Sequence, residues 1–355
     1  MQRTTSIAKS RRLFIRILSV AGPLIVFFSV LGIVLGQSST QEYRGSIGDK
    51  HVEMRLTFDG AKIKGTYQYD QFRQDIPLEG AFTSPNKLEL TEGSGKKKTG
   101  KFVCQKHTNT YDVDLECEWS RIDGSGKAFV AFREQFRSVS SKVKLTPKVI
   151  TERKPRVSIS FPKIEGTSLT PAMNAFNLLV QSVVQQAKKE FSPETPERGV
   201  YDLNYLVMWS NDDIISVELE GYSDSGGAHP NTQLVTVNYS LAANRQLTLD
   251  DVFQKGTKYE TAIAEYVTKD INRRADQMDQ EEAQRNNRPV EKREEPVMAE
   301  DGLPPIAAFA LRPDGLAVYF DFPHVMAVFD RTLIPYSVLL AFLKPDGVAS
   351  QTKKP

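Results

Sequence analysis

The chain has 355 residues, of which 40% are hydrophobic and 25% charged, which is an ordinary globular composition and long enough for two domains. Its formal net charge is +2, but five basic residues and no acidic ones precede residue 37. The 46 basic residues less those five leave 41 against 44 acidic residues, so the rest of the chain has a net charge of −3. A weakly negative chain of mixed charges offers no electrostatic argument for a nucleic-acid partner.

The first 36 residues combine a basic start with an uncharged, strongly apolar run at 17–36. This pattern predicts either a cleaved signal peptide or a membrane anchor whose N-terminus stays inside. The run is just long enough to span a bilayer, and the segment before it, 10–16, resembles a twin-arginine export signal. Under both alternatives, we expect residues 37–355 to lie outside the cytoplasm, in the periplasm or cell envelope.

Residues 37–137 are predicted to form an all-β module. Short runs that alternate apolar and polar residues recur roughly every ten residues, and glycines separate them. This spacing is typical of a meander that closes into a small barrel or packs as a sandwich.

The only two cysteines of the chain, Cys104 and Cys117, fall in this module. A hairpin that pairs 102–106 with 115–119 places them opposite each other, and it also pairs Phe102 with Trp119. In an oxidising compartment, such a cross-strand pair predicts a disulfide. Two cysteines alone cannot complete a structural zinc site.

The segment 138–155 is rich in serine and basic residues, and it predicts a linker that leads into the first strand of a second domain, 156–345. A 3.6-residue apolar period predicts a core-facing helix over 169–191, with Thr170 as N-cap and Pro171 in the first turn.

The remainder of this domain alternates strand-like and helical patterns, which predicts an α+β fold with an antiparallel sheet and packed helices. A helix is expected from Lys258 to about Arg288. The stretch 272–302 is interpreted as a charged insertion with a solvated surface, and 346–355 as a tail.

Between two predicted strands lies the segment YSDSGGAHPN, 222–231. Its two glycines permit positive φ angles, and its proline excludes a helix through His229. The segment is either a tight connection whose histidine satisfies local backbone groups or a loop that lines a binding cleft. For the second alternative, the candidate ligand-binding residues are Tyr222, Asp224, Gly226, Gly227, His229, Asn231 and, from a later segment, His324.

Four sequence blocks in the second domain resemble a known family. They are ISFPKIEG followed by an asparagine-bearing helix, then YSDSGGAHPN, LTLDDVF, and GLAVYFDFPHV with IPYSVL. The region 150–345 is similar to the paired extracytoplasmic domains of RsiV-type lysozyme-sensing anti-sigma factors, which also occur in PdaC-type envelope polysaccharide deacetylases. The resemblance implies an α+β fold and an extracytoplasmic role. It does not imply catalysis, because in the deacetylases a separate domain carries the chemistry.

The sequence contains no zinc-protease, nucleophile-elbow, phosphate-loop or dinucleotide motif, and we expect no cofactor. We also assign no catalytic residues and no metal ligands, although one metal hypothesis arises from the residues themselves. His229, Asp224 and His324 converge if the two histidines follow strands of one sheet.

Two classes of function follow. The first is a non-catalytic envelope protein that binds peptidoglycan, a cell-wall glycan, or a muramidase-like (lysozyme-like) protein. The second is a hydrolase or deacetylase-type enzyme, or an accessory to one, with a cleft near His229. A third hypothesis is a scaffold whose β module carries out the recognition.

Overall fold

The computed structural model describes residues 38–95, 97–107, 113–138, 141–195, 197–227, 229–291, 293–299 and 302–351. The predicted export segment, 1–36, lies outside these ranges. Within them, no helix is both long enough and apolar enough to cross a membrane. All of the described residues belong to one compact unit.

The N-terminal part is a closed antiparallel barrel of eight strands, in which each strand pairs with the next and the first pairs with the last. The strands are β1 (Ser39–Ile47), β2 (Lys50–Asp59), β3 (Lys62–Tyr69), β4 (Ile76–Ser84), β5 (Lys87–Ser94), β6 (Lys97–Lys106), β7 (Leu115–Arg121) and β8 (Ala128–Gln135). The predicted all-β meander is confirmed, and of its two alternatives the barrel is the one formed.

Buried and exposed side chains alternate along the strands, and the buried ones form the barrel core. In β2, the buried residues Val52, Met54 and Leu56 alternate with more exposed ones, because successive side chains of a strand point to opposite faces. The inward side chains of all eight strands meet in one apolar cluster that includes Tyr67 and Phe132.

Two glycines allow the strands of the barrel to approach closely. A Cβ atom on Gly65 would lie 2.0 Å from the carbonyl oxygen of Arg55, and one on Gly80 would lie 1.9 Å from that of Glu89. Glycine in a strand interior commonly marks such a close approach of a neighbouring backbone. The glycines that separate runs in the sequence therefore also lie within strands, where they permit curvature.

The cysteine hairpin has the predicted register. Cys104 of β6 lies opposite Cys117 of β7, and Phe102 lies opposite Trp119. The two cysteines form a disulfide whose sulfur atoms are buried inside the barrel core. The prediction from strand register is confirmed.

A six-stranded sheet follows, in the order β14-β13-β12-β11-β10-β9. The strands are β9 (Lys144–Arg153), β10 (Arg156–Glu165), β11 (Val200–Ser210), β12 (Ile214–Asp224), β13 (Asn231–Ser240) and β14 (Arg245–Gln246). Four of the five neighbouring pairs are antiparallel, whereas β10 and β11 run parallel. Most of the predicted linker, 138–155, is thus the edge strand β9.

Helix α1 (Pro171–Glu190) connects the parallel pair and covers one face of this sheet. The Thr170 hydroxyl accepts a hydrogen bond from the backbone N–H of Met173, as the predicted N-cap requires. Phe176 is fully buried in the core beneath the helix, where its ring meets that of Tyr239. Leu178, on the opposite face, is 68% exposed.

The C-terminal part adds a three-stranded antiparallel sheet and short helices. Its elements are α2 (Leu249–Val252), α3 (Tyr259–Arg285), β15 (Ile306–Leu311), β16 (Gly315–Phe320), a 3₁₀ helix (His324–Phe329), β17 (Arg331–Pro335), α4 (Tyr336–Leu339) and α5 (Val348–Gln351). The long helix and the new sheet share one apolar core, which contains Val267, Ile271 and Val318.

The charged stretch 272–302 is only partly solvated. Helix α3 continues through its first half, and Ala275, Ala283 and Met298 are buried. The Asn272 side chain also donates to the Met298 carbonyl oxygen at 2.8 Å and accepts from its N–H at 3.0 Å. The helix extension expected here is present, and scattered small or apolar residues attach the stretch to the core.

Candidate functional site

The segment 222–231 connects β12 to β13 at one end of the six-stranded sheet. The Asp224 carboxylate accepts a hydrogen bond from the backbone N–H of Gly226 at 2.9 Å, and Gly226 has a φ of +88°, which a side chain rarely adopts. The backbone N–H of Glu194 donates to the Ser225 carbonyl oxygen at 3.2 Å. These contacts fix the first half of the connection.

His229 and His324 come together at this end of the molecule. Their ring centroids are 5.7 Å apart, and the ring planes are tilted by 39°. Both side chains are exposed to solvent. They follow strands of two different sheets, β12 and β16, so the condition of the metal hypothesis, that both follow strands of one sheet, is not met.

The position of His324 follows from the packing of the 3₁₀ helix that it begins. Phe329, at the other end of this helix, is buried in the C-terminal core. The next strand starts with Arg331, whose guanidinium lies 3.5 Å from the carboxylate of Glu218 and 3.5 Å from that of Glu220, both on β12. Buried packing on one side and ion pairs on the other therefore hold the 3₁₀ helix beside the end of β12.

The other candidate residues lie on the same surface but have different surroundings. Tyr222 is 42% exposed and lies opposite Thr232 in the β12–β13 ladder. Asn231 is exposed at the first position of β13, and a Cβ atom on Gly227 would meet nothing within 4 Å. The structure thus shows an exposed surface here. We call it the histidine surface and define it as residues 222–227, 229–231 and 324–328.

The three-residue metal hypothesis does not hold as predicted. Among the described residues, no group of three His, Cys, Asp or Glu side chains could hold a metal ion together. The Asp224 side chain caps its own turn instead.

The histidine pair also lacks the partners of a catalytic group. The His229 Nδ1–H donates to the Pro230 carbonyl oxygen at 3.0 Å, so this side chain satisfies a local backbone group. In the described part of the chain, neither histidine has a serine, cysteine or carboxylate partner of the kind that activates a nucleophile or orients a base.

A second polar region, which the sequence did not reveal, lies where the barrel meets the six-stranded sheet. The Arg44 side chain is buried; its Nε–H donates to the Asn204 side chain at 2.7 Å, and its guanidinium lies 3.6 Å from the ring centroid of Tyr205. It also pairs with the buried Asp70. Burial opposes the charge of Arg44, but Tyr205 and Asp70 outweigh that effect and raise the pKa of the guanidinium.

His51 bonds across the same junction. Its Nε2 lies 3.0 and 3.1 Å from the two carboxylate oxygens of Asp202 on β11. A cleft of about 480 Å³ opens beside His51, between the barrel and the β9–β10 hairpin, and Lys50, Arg153 and Arg156 contribute to its lining. This cleft does not include residues of the histidine surface.

Glu218 of β12 lies where the barrel, the large sheet and the small sheet meet. Arg133 of β8 donates to its carboxylate at 3.1 Å, and the Tyr319 hydroxyl of β16 donates to the same group. Burial alone would raise the pKa of Glu218, but Arg133 and Arg331 outweigh burial and lower it to about 2. These charges are paired with one another, so we interpret the junction as structural.

The sequence signal for the junction is weak but visible. Glu218 interrupts the apolar run IISVELEG, and a charged residue in such a strand requires a buried partner. The partners themselves are more than 80 residues away in the chain, so no local pattern identifies them.

Fold and site together define a class of protein, in which an eight-stranded β-barrel is joined to an α+β part that exposes a pair of histidines. Residues 250–330 match the model of a family described as a protein of unknown function, DUF3298. The matched range contains His324 but not the 222–231 connection. No curated protein matches the chain.

Two solved structures of DUF3298 family members are similar to this chain. The first, from Bacteroides fragilis, has 16% sequence identity and a TM-score of 0.42, and the match covers 60% of this chain and 98% of that one. The second, from Pseudomonas aeruginosa PAO1, has 18% identity and a TM-score of 0.38, with 57% and 94% covered.

Proposed function

We propose that the protein is a non-catalytic binding protein of the bacterial cell envelope. Its ligand is a cell-wall glycan or a muramidase-like protein, and the histidine surface makes the contact. The proposal builds on the resemblance of region 150–345 to RsiV-type and PdaC-type extracytoplasmic domains. It also builds on the N-terminal sequence, which is typical of an exported or membrane-anchored protein.

The exposure of the histidine surface is the single observation that supports this proposal most. Tyr222 is 42% exposed, Val325 is 86% exposed and Val328 is 48% exposed. Exposed aromatic and apolar side chains are typical of recognition surfaces, because they bury apolar area on binding. A tyrosine also has a hydroxyl group that can hydrogen-bond to the partner.

A binding function is better supported than a hydrolase or deacetylase. An enzyme at this position needs a recessed polar site in which the histidine is oriented by a second group. Here both histidines are exposed, and His229 donates its hydrogen bond to the carbonyl oxygen of Pro230 in its own loop. This arrangement fits the requirement of an enzyme poorly.

The test is a co-sedimentation experiment with the full-length chain. Purified protein is incubated with insoluble peptidoglycan in one arm and passed over immobilised lysozyme in another. We expect saturable retention in one arm. We also expect the sacculi recovered from the first arm to give an unchanged muropeptide profile by mass spectrometry.

The proposal fails if neither arm retains the protein at high micromolar concentration. If the recovered muropeptides have lost acetyl groups or glycosidic bonds, the protein acts on peptidoglycan as an enzyme, and the proposal that it is non-catalytic is contradicted. Immobilised serum albumin serves as the control for non-specific retention.

A further inference from the structure

The two histidines of the histidine surface have a separation that coordination chemistry can use. Their ring centroids are 5.7 Å apart. A first-row metal ion binds an imidazole nitrogen at about 2.0–2.1 Å, so two imidazoles on one ion have centroids roughly 5–6 Å apart. The separation of the two rings is therefore compatible with a shared ion.

The hydrogen bond of His229 fixes which of its nitrogens is available. A carbonyl oxygen only accepts, so the 3.0 Å contact with Pro230 requires the proton on Nδ1. In the neutral ring, the lone pair then lies on Nε2. Metal-binding histidines usually donate their second ring N–H to a carbonyl or carboxylate in this way, which orients the ring and raises its basicity.

The surroundings leave room for an ion. Both side chains are exposed to solvent, so an ion can reach the two rings. His229 follows the turn that Asp224 caps, its own ring is held by the Pro230 carbonyl oxygen, and His324 begins a helix anchored by Phe329. The two ligands are thus carried by segments that the fold already holds near each other.

We propose that His229 and His324 form a two-histidine site for a divalent transition-metal ion such as Zn²⁺, Ni²⁺ or Cu²⁺. Imidazole nitrogen suits these ions, whereas Ca²⁺ and Mg²⁺ require oxygen ligands. Two protein ligands leave the other coordination positions to water or to a donor group of a bound partner. The site therefore supplies an ion-mediated contact within the histidine surface.

The metal site does not depend on the identity of the envelope ligand. Its test uses metal ions alone, so its failure and the failure of the proposed binding function are distinguishable. The sample is the 355-residue chain without a polyhistidine tag, treated with a chelator to remove bound metal. It is then titrated with NiCl₂ and, separately, with ZnCl₂ by isothermal titration calorimetry.

We expect one saturable site per chain in the wild type. His229→Ala and His324→Ala should each weaken it about tenfold or more, because a two-ligand site loses half of its protein donors. His107→Ala is the matched control, since His107 is a partly exposed histidine on the barrel, paired with Glu116. It should leave the affinity unchanged.

A spectroscopic readout separates ligation from an indirect structural effect. With one equivalent of Cu²⁺, electron paramagnetic resonance should show hyperfine coupling to two imidazole nitrogens in the wild type and to one in either variant. Circular dichroism confirms that the variants are folded. The proposal is overturned if the wild type shows no saturable site, if His107→Ala weakens binding as much as the other variants, or if the coupling is unchanged in them.

Discussion

Arg133 on barrel strand β8 donates to Glu218 on strand β12, and this pair joins the barrel to the rest of the molecule through a buried carboxylate. The side chain of Glu218 is 1% exposed and that of Arg133 is 15% exposed. Without Arg133, the buried Glu218 carboxylate keeps only Arg331 and the Tyr319 hydroxyl as partners, and this loss costs more than losing a surface pair.

Arg133→Met is therefore expected to lower the free energy of unfolding by about 1–3 kcal/mol, because Arg331 and Tyr319 still contact the carboxylate. The matched control is Lys127→Met, which removes an exposed barrel pair with Glu118 and should cost less than about 1 kcal/mol. Urea denaturation followed by tryptophan fluorescence measures both. Equal effects of the two substitutions would mean that the junction pair contributes no more than a surface pair.

The lowered pKa of Glu218 predicts a dependence of stability on pH. A carboxyl group whose folded pKa lies below its ordinary value of 4.5 stabilises the folded state above that value. The contribution is lost as the pH falls from 4.5 towards 2. We therefore expect the free energy of unfolding to decrease over this range, and to decrease less steeply in Glu218→Gln.

The difference in stability between the wild type and Glu218→Gln separates the contribution of Glu218 from that of carboxyl groups with the opposite pH dependence. Burial raises the pKa of Asp114 and of Glu134, and these two groups act in the opposite direction because their protonated forms are favoured in the folded state. They are present in both proteins and cancel in the difference. Parallel pH profiles would contradict the assignment to Glu218.

The disulfide should stabilise the barrel. Cys104 and Cys117 are 13 residues apart in the chain, and closing a loop of that length is worth about 3 kcal/mol through the unfolded state. The double substitution Cys104→Ala with Cys117→Ala, which adds no polar group to the core, should lower the free energy of unfolding by at least that amount. A reducing agent should destabilise the wild type but leave the double variant unaffected; a response of both would point to another cause.

Helix α1 offers a test of the core between helix and sheet. Phe176→Ala removes a fully buried ring and should cost about 3–5 kcal/mol, because it leaves a cavity against Tyr239. Leu178→Ala, two positions later but 68% exposed, should change stability by less than about 0.5 kcal/mol. If both substitutions cost the same, the assigned orientation of the helix is incorrect.

Local patterns predicted much of this architecture. The register of the cysteine hairpin follows from matching Cys104 with Cys117, and the N-terminus of α1 follows from Thr170 and Pro171. Both depend on residues close in sequence, where turn and cap chemistry is decisive. The helix from Lys258 was likewise predicted to within a few residues of its observed bounds, Tyr259–Arg285.

Non-local pairings account for what was missed. Strand β15, Ile306–Leu311, has a run of small and apolar residues that resembles no strand pattern, and it forms by pairing with β16. The partners of Arg44 and of Glu218 come from distant segments. At the site, the sequence offers the convergence of His229 and His324 as a hypothesis that depends on both following strands of one sheet. It did not show that they follow different sheets or that Asp224 is committed to its own turn.

A comparison of affinities tests whether the histidine surface binds the envelope ligand. The triple variant Tyr222→Ala, His229→Ala, His324→Ala is compared with Phe129→Ala, which removes a 69% exposed aromatic from the barrel. Binding isotherms are measured on whichever ligand, peptidoglycan or lysozyme, retains the wild type. We expect at least about a tenfold loss of affinity in the triple variant and none in Phe129→Ala. Full affinity in the triple variant together with a loss in Phe129→Ala would contradict it and assign recognition to the barrel.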